Sequence, residues 1–447
     1  MENLIKYLKG KKILILGFGR EGQSTYKFFK QYLEKQPIYI ADQKENLEES
    51  IEYLKQDTFV HIISGENYLK DLEKYDLIIK GPGVSFAGID TSKYSNKIKS
   101  QLELVLEFFD IFTIGITGTK GKSTTSTLIN TILQEQNKKS ILLGNIGIPV
   151  FDYITKFEKD MYLVLEMSSH QLEYMEVSPN IAILLNVYPE HLDHYDSFEK
   201  YVEAKCNIFK NQKSTDYLLY NYDNQTLNEY VKNQTGKAIK VSFESKENSD
   251  IYIKENKVWF EKKPIYDKNE KRQILGDYNL NNIMFALGVS EILKLDINKT
   301  TETIKNFKPL KHRLEFIGKY NDILYYDNSI GTVPAATIEA VKALGNVDTL
   351  IIGGMDRGID YTEFSEYLNQ SDISNIICMP KTGHDIAKKI KKEKTYIVEN
   401  MKEAVEIAKK VTKKHKSCLL SPTAASYGFF KNFEEKGDLY RMYVEKN

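Results

Sequence analysis

The chain has 447 residues, 41% of them hydrophobic, with 62 basic and 62 acidic side chains and no formal net charge. That length exceeds one ordinary core and, at roughly 150 residues per domain, suggests about three. The apolar share excludes a disordered chain, and the balanced charge argues against nucleic-acid binding through bulk charge.

The opening segment does not read as a signal peptide, because the apolar run Ile13 to Leu16 meets glycines and charges at once. No stretch reaches the ~18 apolar residues of a membrane-spanning helix, so no membrane association is expected. Cys206, Cys378 and Cys418 lie far apart with no metal-ligand spacing, which fits a reducing cytoplasm better than a disulfide framework. Nothing marks an oligomer interface, and a monomer is expected.

An α/β pattern starts three times. The first block has strands at 12–16, 37–41 and 75–79, separated by helical stretches; strands alternating with helices imply a parallel sheet. Gly17, Gly19 and Gly22 follow its first strand in the spacing G-x-G-x-x-G, and Asp42 ends the next one. This is the spacing of a dinucleotide site, with backbone N–H groups and a helix N-terminus aimed at a diphosphate. On these residues NAD, another nucleotide diphosphate such as a UDP-sugar, and a tight turn without ligand all stay open.

The second block opens with a strand over 111–117 that feeds Gly118, Thr119, Lys120, Gly121, Lys122, Ser123 and Thr124, then a helix through Leu133. Glycines let several N–H groups converge on one phosphate. Lys122 would reach the β/γ-phosphates of ATP and the Ser123 hydroxyl would hold Mg²⁺. Ile116 stands where the long Walker pattern has its first glycine, so this is the shorter form of the loop. Further strands fall at 161–165 and 181–185, followed by a more polar insert over 211–275 with shorter strands.

Glu166, at a parallel strand's C-terminal end, is placed to hold Mg²⁺. The run Asn186 to Tyr195 carries His191 and His194, two of seven histidines; it reads either as a reactive loop or as a solvated one. Lys205 lies on a helix over 198–209, where a lysine usually snorkels to the surface. The third block starts near His312, with strands at 323–326, 349–352, 375–379 and 417–420.

Taken together, these motifs resemble the Mur ligases of peptidoglycan synthesis, over all three blocks in order. The resemblance rests on Gly118 to Thr124, Gly144 to Gly147, Leu165 to Glu173, Asn186 to Tyr195, Ala204 to Phe209, Gly276 to Asn282, His312 to Glu315 and Leu420 to Ser426. Phe430 to Gly437 points to the glutamate-adding member.

The resemblance implies a UDP-binding Rossmann-like domain (1–108), a central P-loop ATPase-type α/β domain (109–311) and a C-terminal Rossmann-like domain that takes glutamate (312–447). It implies ATP-dependent amide formation between UDP-N-acetylmuramoyl-L-alanine and glutamate through an acyl phosphate. Gly17, Gly19, Arg20, Asp42, Gly81, Gly83 and Asn145 would then bind the UDP substrate. Asn279, Asn282, Arg313 and either Asp327 or Asn328 would join the loop in binding ATP. Ser123, Glu166, His191 and Lys205 would hold two Mg²⁺ ions, with Lys205 carbamylated by CO₂.

Thr332, Arg357, Ser426, Tyr427 and Phe433 would meet glutamate. The segment Tyr326 to Thr332 departs from the common Asn-Asp-Ser-Lys-Ala-Thr: the acid precedes the asparagine, and Ile330 stands in place of the lysine. Some relatives that resemble this variant take L-glutamate. Tyr278 replaces a common histidine before Asn279.

Overall fold

The computed structural model describes residues 1–145, 148–246 and 248–446. The chain forms two compact units. One comprises Met1–Glu270 with Asn281–Ile304, the other Lys271–Leu280 with Lys305–Asn447. Among the described residues no helix is long and apolar enough to cross a membrane.

The first unit holds two sheets. Strands β1 (Ile13–Leu16), β2 (Ile38–Asp42), β3 (Val60–Ser64), β4 (Leu77–Lys80) and β5 (Ile98–Lys99) form a parallel sheet in the order β3-β2-β1-β4-β5. β1 and β4 are buried at every position, as strands covered on both faces must be. The chain leaves β1 for β2 on one side and has β4 on the other, which opens a crevice at the carboxyl ends of the strands.

The second sheet runs through β6 (Phe112–Thr117), β7 (Ser140–Gly144), β8 (Tyr162–Glu166), β9 (Ile181–Leu184), β10 (Tyr217–Asn221), β11 (Lys237–Ser242), β12 (Ile251–Lys254), β13 (Lys257–Phe260) and β14 (Lys263–Asp267). Its order is β14-β13-β12-β11-β10-β9-β6-β8-β7. β6 therefore lies between β8 and β9, and the loop after it is flanked by the ends of both. β10, β11 and β12 continue the parallel sheet, and only β13 and β14 are added by antiparallel pairing. The polar insert is thus less of an insert than its composition suggests.

The second unit has one six-stranded sheet, β15 (Glu315–Tyr320), β16 (Ile323–Asp327), β17 (Val347–Ile352), β18 (Asn375–Cys378), β19 (Thr395–Ile397) and β20 (Ser417–Leu420), ordered β15-β16-β20-β17-β18-β19. β15 is antiparallel to β16 and the rest are parallel. The helix Phe433–Glu445 starts at Asn432, whose side chain accepts from Glu435 N, and buries Lys436, Tyr440 and Val444 along one stripe.

Candidate active site

The glycine turn after β1 is built for close approach. Gly17 has φ +85°, and a β-carbon there would lie 2.8 Å from Val84 Cγ2; one on Gly22 would lie 2.2 Å from the Gly17 carbonyl oxygen. Only glycine fits either position. Asp42 turns inward: its carboxylate accepts from Phe18 N at 2.6 Å and from Lys44 N at 2.8 Å. The acid thereby braces the turn. A cavity of about 360 Å³ opens here, lined by Gly17, Gly19, Arg20, Asp42, Gly81, Gly83 and Asn145 together with Tyr68 and Pro149. All seven residues that the sequence nominates for the UDP substrate come together in it. In the run Gly144 to Gly147, Ile146 and Gly147 lie outside the described residues.

Asn145 connects this cleft to the second sheet. Its amide donates to Glu166 Oε1 at 2.8 Å and its backbone N–H to Glu166 O at 2.9 Å. Glu166 is the last residue of β8 and sits in register beside Ile116 of β6. Its other carboxylate oxygen is buried with no hydrogen-bond partner among the described residues. A buried anionic oxygen with nothing to accept from is costly, and a cation or its hydration water would satisfy it.

The phosphate loop is held from the opposite flank by the segment after β9. Thr119 N donates to Asn186 O at 2.9 Å, Lys120 N to Asn186 Oδ1 at 2.9 Å, and Asn186 Nδ2 to Lys120 O at 3.0 Å. Gly121 has φ +91° and opens the helix Lys122–Glu135; a β-carbon on it would lie 2.5 Å from Asn282 Oδ1. Ser123 and Thr124 are buried in the first turn of that helix. Lys122 Nζ folds over the loop, donating to Gly118 O at 2.8 Å and Thr119 O at 3.1 Å.

Lys205 does not snorkel. It is 1% exposed, donates to Gly118 O at 3.1 Å and lies 4.7 Å over the Tyr201 ring. Burial, with Lys122 adding repulsion, pushes its amine well below the usual lysine range. That shift favours the uncharged form of the amine beside the phosphate loop. His191 lies in an exposed part of its loop with a left-handed backbone, φ +58°, a conformation that a non-glycine residue adopts at a cost. Its ring meets His170, 4.8 Å between centroids, and His170 meets His194 at 4.3 Å. Burial, then the neighbouring His194 and His191, pushes His170 down to about 3, so it stays a neutral imidazole.

Long-range contacts that no local pattern announces tie the two sheets together. Gln171 Nε2 donates to Glu21 Oε1 at 2.6 Å, across 150 residues. Glu173 lies 3.2 Å from buried Lys80 and 3.3 Å from His194. Glu21, Lys80, His170, Glu173 and Asn186 join this network without being named individually from sequence, although His170, Glu173 and Asn186 lie in the runs 165–173 and 186–195. Glu21 and Lys80 carry no such local signal.

In the second unit the loops after β16, β20 and β17 meet. Asn328 Nδ2 donates to Ser421 Oγ at 3.0 Å, Thr423 N to Gly331 O at 2.9 Å, Gly353 N to Pro422 O at 2.9 Å and Met355 N to Ala425 O at 2.8 Å. Thr332, Arg357 and Ser426 belong to these loops. Arg357 and Tyr427 are exposed, whereas Ser426 is buried. Phe433 packs edge-on against His312, 6.0 Å between centroids. Asp327 is fully buried, with Oδ2 2.7 Å from His312 Nδ1 and Oδ1 accepting from Ser329 N at 2.8 Å. Asn279, Arg313, Asp327 and Asn328 all belong to this unit, while the phosphate loop and Asn282 belong to the first.

Residues 116–290 match the Mur ligase middle domain, and similarity to curated relatives reaches 32% identity over 96% of this chain. The chain belongs to the Mur ligase family. That 32% relative is the UDP-N-acetylmuramoylalanine–D-glutamate ligase of Clostridioides difficile (strain 630), of which the chain covers 97%. The enzyme of the same name from Lachnoclostridium phytofermentans is 31% identical over 97% of this chain and 98% of its own. Among solved structures, the fold is similar to UDP-N-acetylmuramate-alanine ligase of Thermotoga maritima, with a TM-score of 0.60 at 19% identity over 97% of this chain and 98% of that one. It is also similar to the MurF ligase of that organism in complex with ADP, with a TM-score of 0.61 at 18% identity over 100% of both chains.

Proposed function

We propose that the protein is a cytoplasmic, ATP-dependent ligase that joins glutamate to UDP-N-acetylmuramoyl-L-alanine, as the names of its relatives state for them. The observation that carries this reading is the phosphate loop set between a buried carboxylate oxygen on Glu166, unpartnered among the described residues, and the buried amine of Lys205 on the Gly118 carbonyl.

The cleft of Gly17, Asp42 and Gly81 takes the UDP end of the substrate, with backbone N–H groups at the start of the helix Arg20–Tyr32 toward the diphosphate. Asn145, which lines that cleft and touches Glu166, directs the muramoyl-alanine carboxylate toward the loop. The N–H groups of residues 118–124 hold the triphosphate, and Lys122 swings from the loop carbonyls onto the β/γ-phosphates. The substrate carboxylate oxygen attacks the γ-phosphorus; ADP leaves and an acyl phosphate forms. The neutral amine of glutamate attacks the acyl carbon, loses a proton, and inorganic phosphate departs.

Ser123, Glu166, His191 and Lys205 are the residues that would hold Mg²⁺, which supplies charge neutralisation between carboxylate and triphosphate when bound. The orphan oxygen of Glu166 fits that assignment. The Lys205 amine, which burial shifts toward its uncharged form, would add to CO₂ with loss of one proton, converting a buried amine into an anionic ligand.

Glutamate enters at the loops after β16, β17 and β20. The D-enantiomer follows the relatives' names; Ile330 in place of a lysine favours testing the L-enantiomer beside it. Purified protein with ATP, Mg²⁺ and UDP-N-acetylmuramoyl-L-alanine should release phosphate on addition of D-glutamate, L-glutamate or both. Release with neither would remove the ligase reading.

Because Asp42 braces the glycine turn, Asp42→Ala should weaken UDP binding about tenfold, the worth of one charge-assisted hydrogen bond to the turn. Titration calorimetry with UDP reads it, and an unchanged affinity would separate the turn from nucleotide binding.

A further inference from the structure

Lys436 is buried without a counter-charge. It is 0% exposed on the helix Phe433–Glu445. Its ammonium donates one hydrogen bond, to Gly353 O at 3.3 Å, and lies 5.2 Å over the Phe430 ring. No carboxylate among the described residues comes within ion-pair distance. An ammonium has three donors, so most of its capacity is unused, and a buried unpaired charge is costly to keep. Burial alone pushes this amine down to about 7.

The end of the side chain lies where the loops after β17 and β20 cross. A β-carbon built on Gly354 would be 3.2 Å from Lys436 Nζ and 2.2 Å from Ala425 O. The loops after β16 and β20 also carry three buried hydroxyls, Ser329 Oγ, Thr423 Oγ1 and Ser426 Oγ, with no partner among the described residues. Hydroxyls can accept from neighbours as well as donate. A β-carbon built on Gly437, next to Lys436 on its helix, would lie 2.6 Å from Ser329 Oγ, and Thr423 and Ser426 flank Ala425 in sequence. An anion that accepts several hydrogen bonds would satisfy such hydroxyls and the cation together. The hydroxyls come from loops at the carboxyl ends of the parallel strands β16 and β20, where ligands of α/β sheets bind, and the cation from the helix Phe433–Glu445 packed against them.

We propose that Lys436 is the positive charge, held protonated by the anion it meets, that draws a carboxylate of the incoming amino acid onto the loops after β16, β17 and β20, a positioning role that this chain fills without a lysine at position 330. This rests on the ligase reading. The lysine acts through its field and through Gly353, whose carbonyl it holds, and the hydroxyls make the contacts.

The test is Lys436→Met, which keeps the length and bulk of the side chain and removes the charge. A lysine kept for function at a cost in stability predicts two results together. The melting temperature stays level or rises, and the KM for glutamate rises tenfold or more while the KM values for ATP and for UDP-N-acetylmuramoyl-L-alanine stay within twofold. Lys436→Arg should recover part of the glutamate affinity. A glutamate KM within twofold of wild type in a folded Lys436→Met protein would overturn the proposal. So would a fall in melting temperature with all three KM values raised, which would mark a structural lysine. If Lys436→Met does not fold, Lys436→Gln takes its place, and failure of both to fold would likewise overturn it. Wild-type protein that releases no phosphate with either glutamate enantiomer would instead take away the ligase reading, a result that the same assay shows separately.

Discussion

Lys205→Ala should lower turnover by at least about 100-fold, the scale of losing one preorganised charge beside a transferring phosphoryl group. The side chain is 1% exposed and bonded to the carbonyl of Gly118, so whatever it becomes acts on the phosphate loop directly. Removing it deletes the amine that CO₂ would capture, and added bicarbonate should therefore restore nothing to the variant. Wild-type enzyme in degassed buffer should lose activity and regain it with bicarbonate. Phosphate release at saturating ATP, with melting temperature as the check on folding, reads all three. Wild-type turnover in the alanine variant would sink the carbamate.

The second large effect is expected at Glu166. Glu166→Gln preserves shape and an oxygen able to accept from Asn145, but replaces the orphan carboxylate oxygen with a donor. Turnover should fall about 10²–10³-fold, and the Mg²⁺ concentration for half activity should rise about 10–100-fold. UDP affinity should stay as it was, because the cleft of Gly17 and Asp42 is untouched. An unaltered Mg²⁺ dependence would remove Glu166 from the metal site.

What could be read from sequence was what local chemistry dictates. A strand that ends in glycines and starts a helix has few other uses, and so β1 and β6, with Gly17 to Gly22 and Gly118 to Thr124, were legible. Strand ends moved by a residue or two: Glu166 closes β8 instead of following it. β3, β5, β7, β15 and β19 have no strand reading, because short or mixed polar runs give no clear period; β10, β11 and β14 lie in the insert over 211–275, where shorter strands are expected without fixed ends. Lys205 on spacing alone looked like a surface residue; its burial depends on Gly118, 87 positions away. Glu21 with Gln171 and Lys80 with Glu173 were illegible for the same reason. They pair between sheets, and each half alone is an ordinary charged or amide side chain. The order Asp327-Asn328 could be seen but not interpreted until the structure showed Asp327 engaged with His312 and Ser329.

That order has a practical side. Asn328 reaches Ser421, Gly331 is bonded to Thr423, and Met355 is bonded to Ala425. The segments after β16, β20 and β17 are thus one woven piece, with no loop free to be exchanged alone. Grafting an Asn-Asp-Ser-Lys-Ala-Thr segment onto positions 327–332 to change the amino acid taken would carry in a lysine. It would also put an asparagine against His312 and an aspartate against Leu314 N and Ser421, partners chosen for the opposite pair. With glutamate entering here as proposed, amino-acid preference would be a property of all three segments together, and engineering it would mean transplanting them as a block.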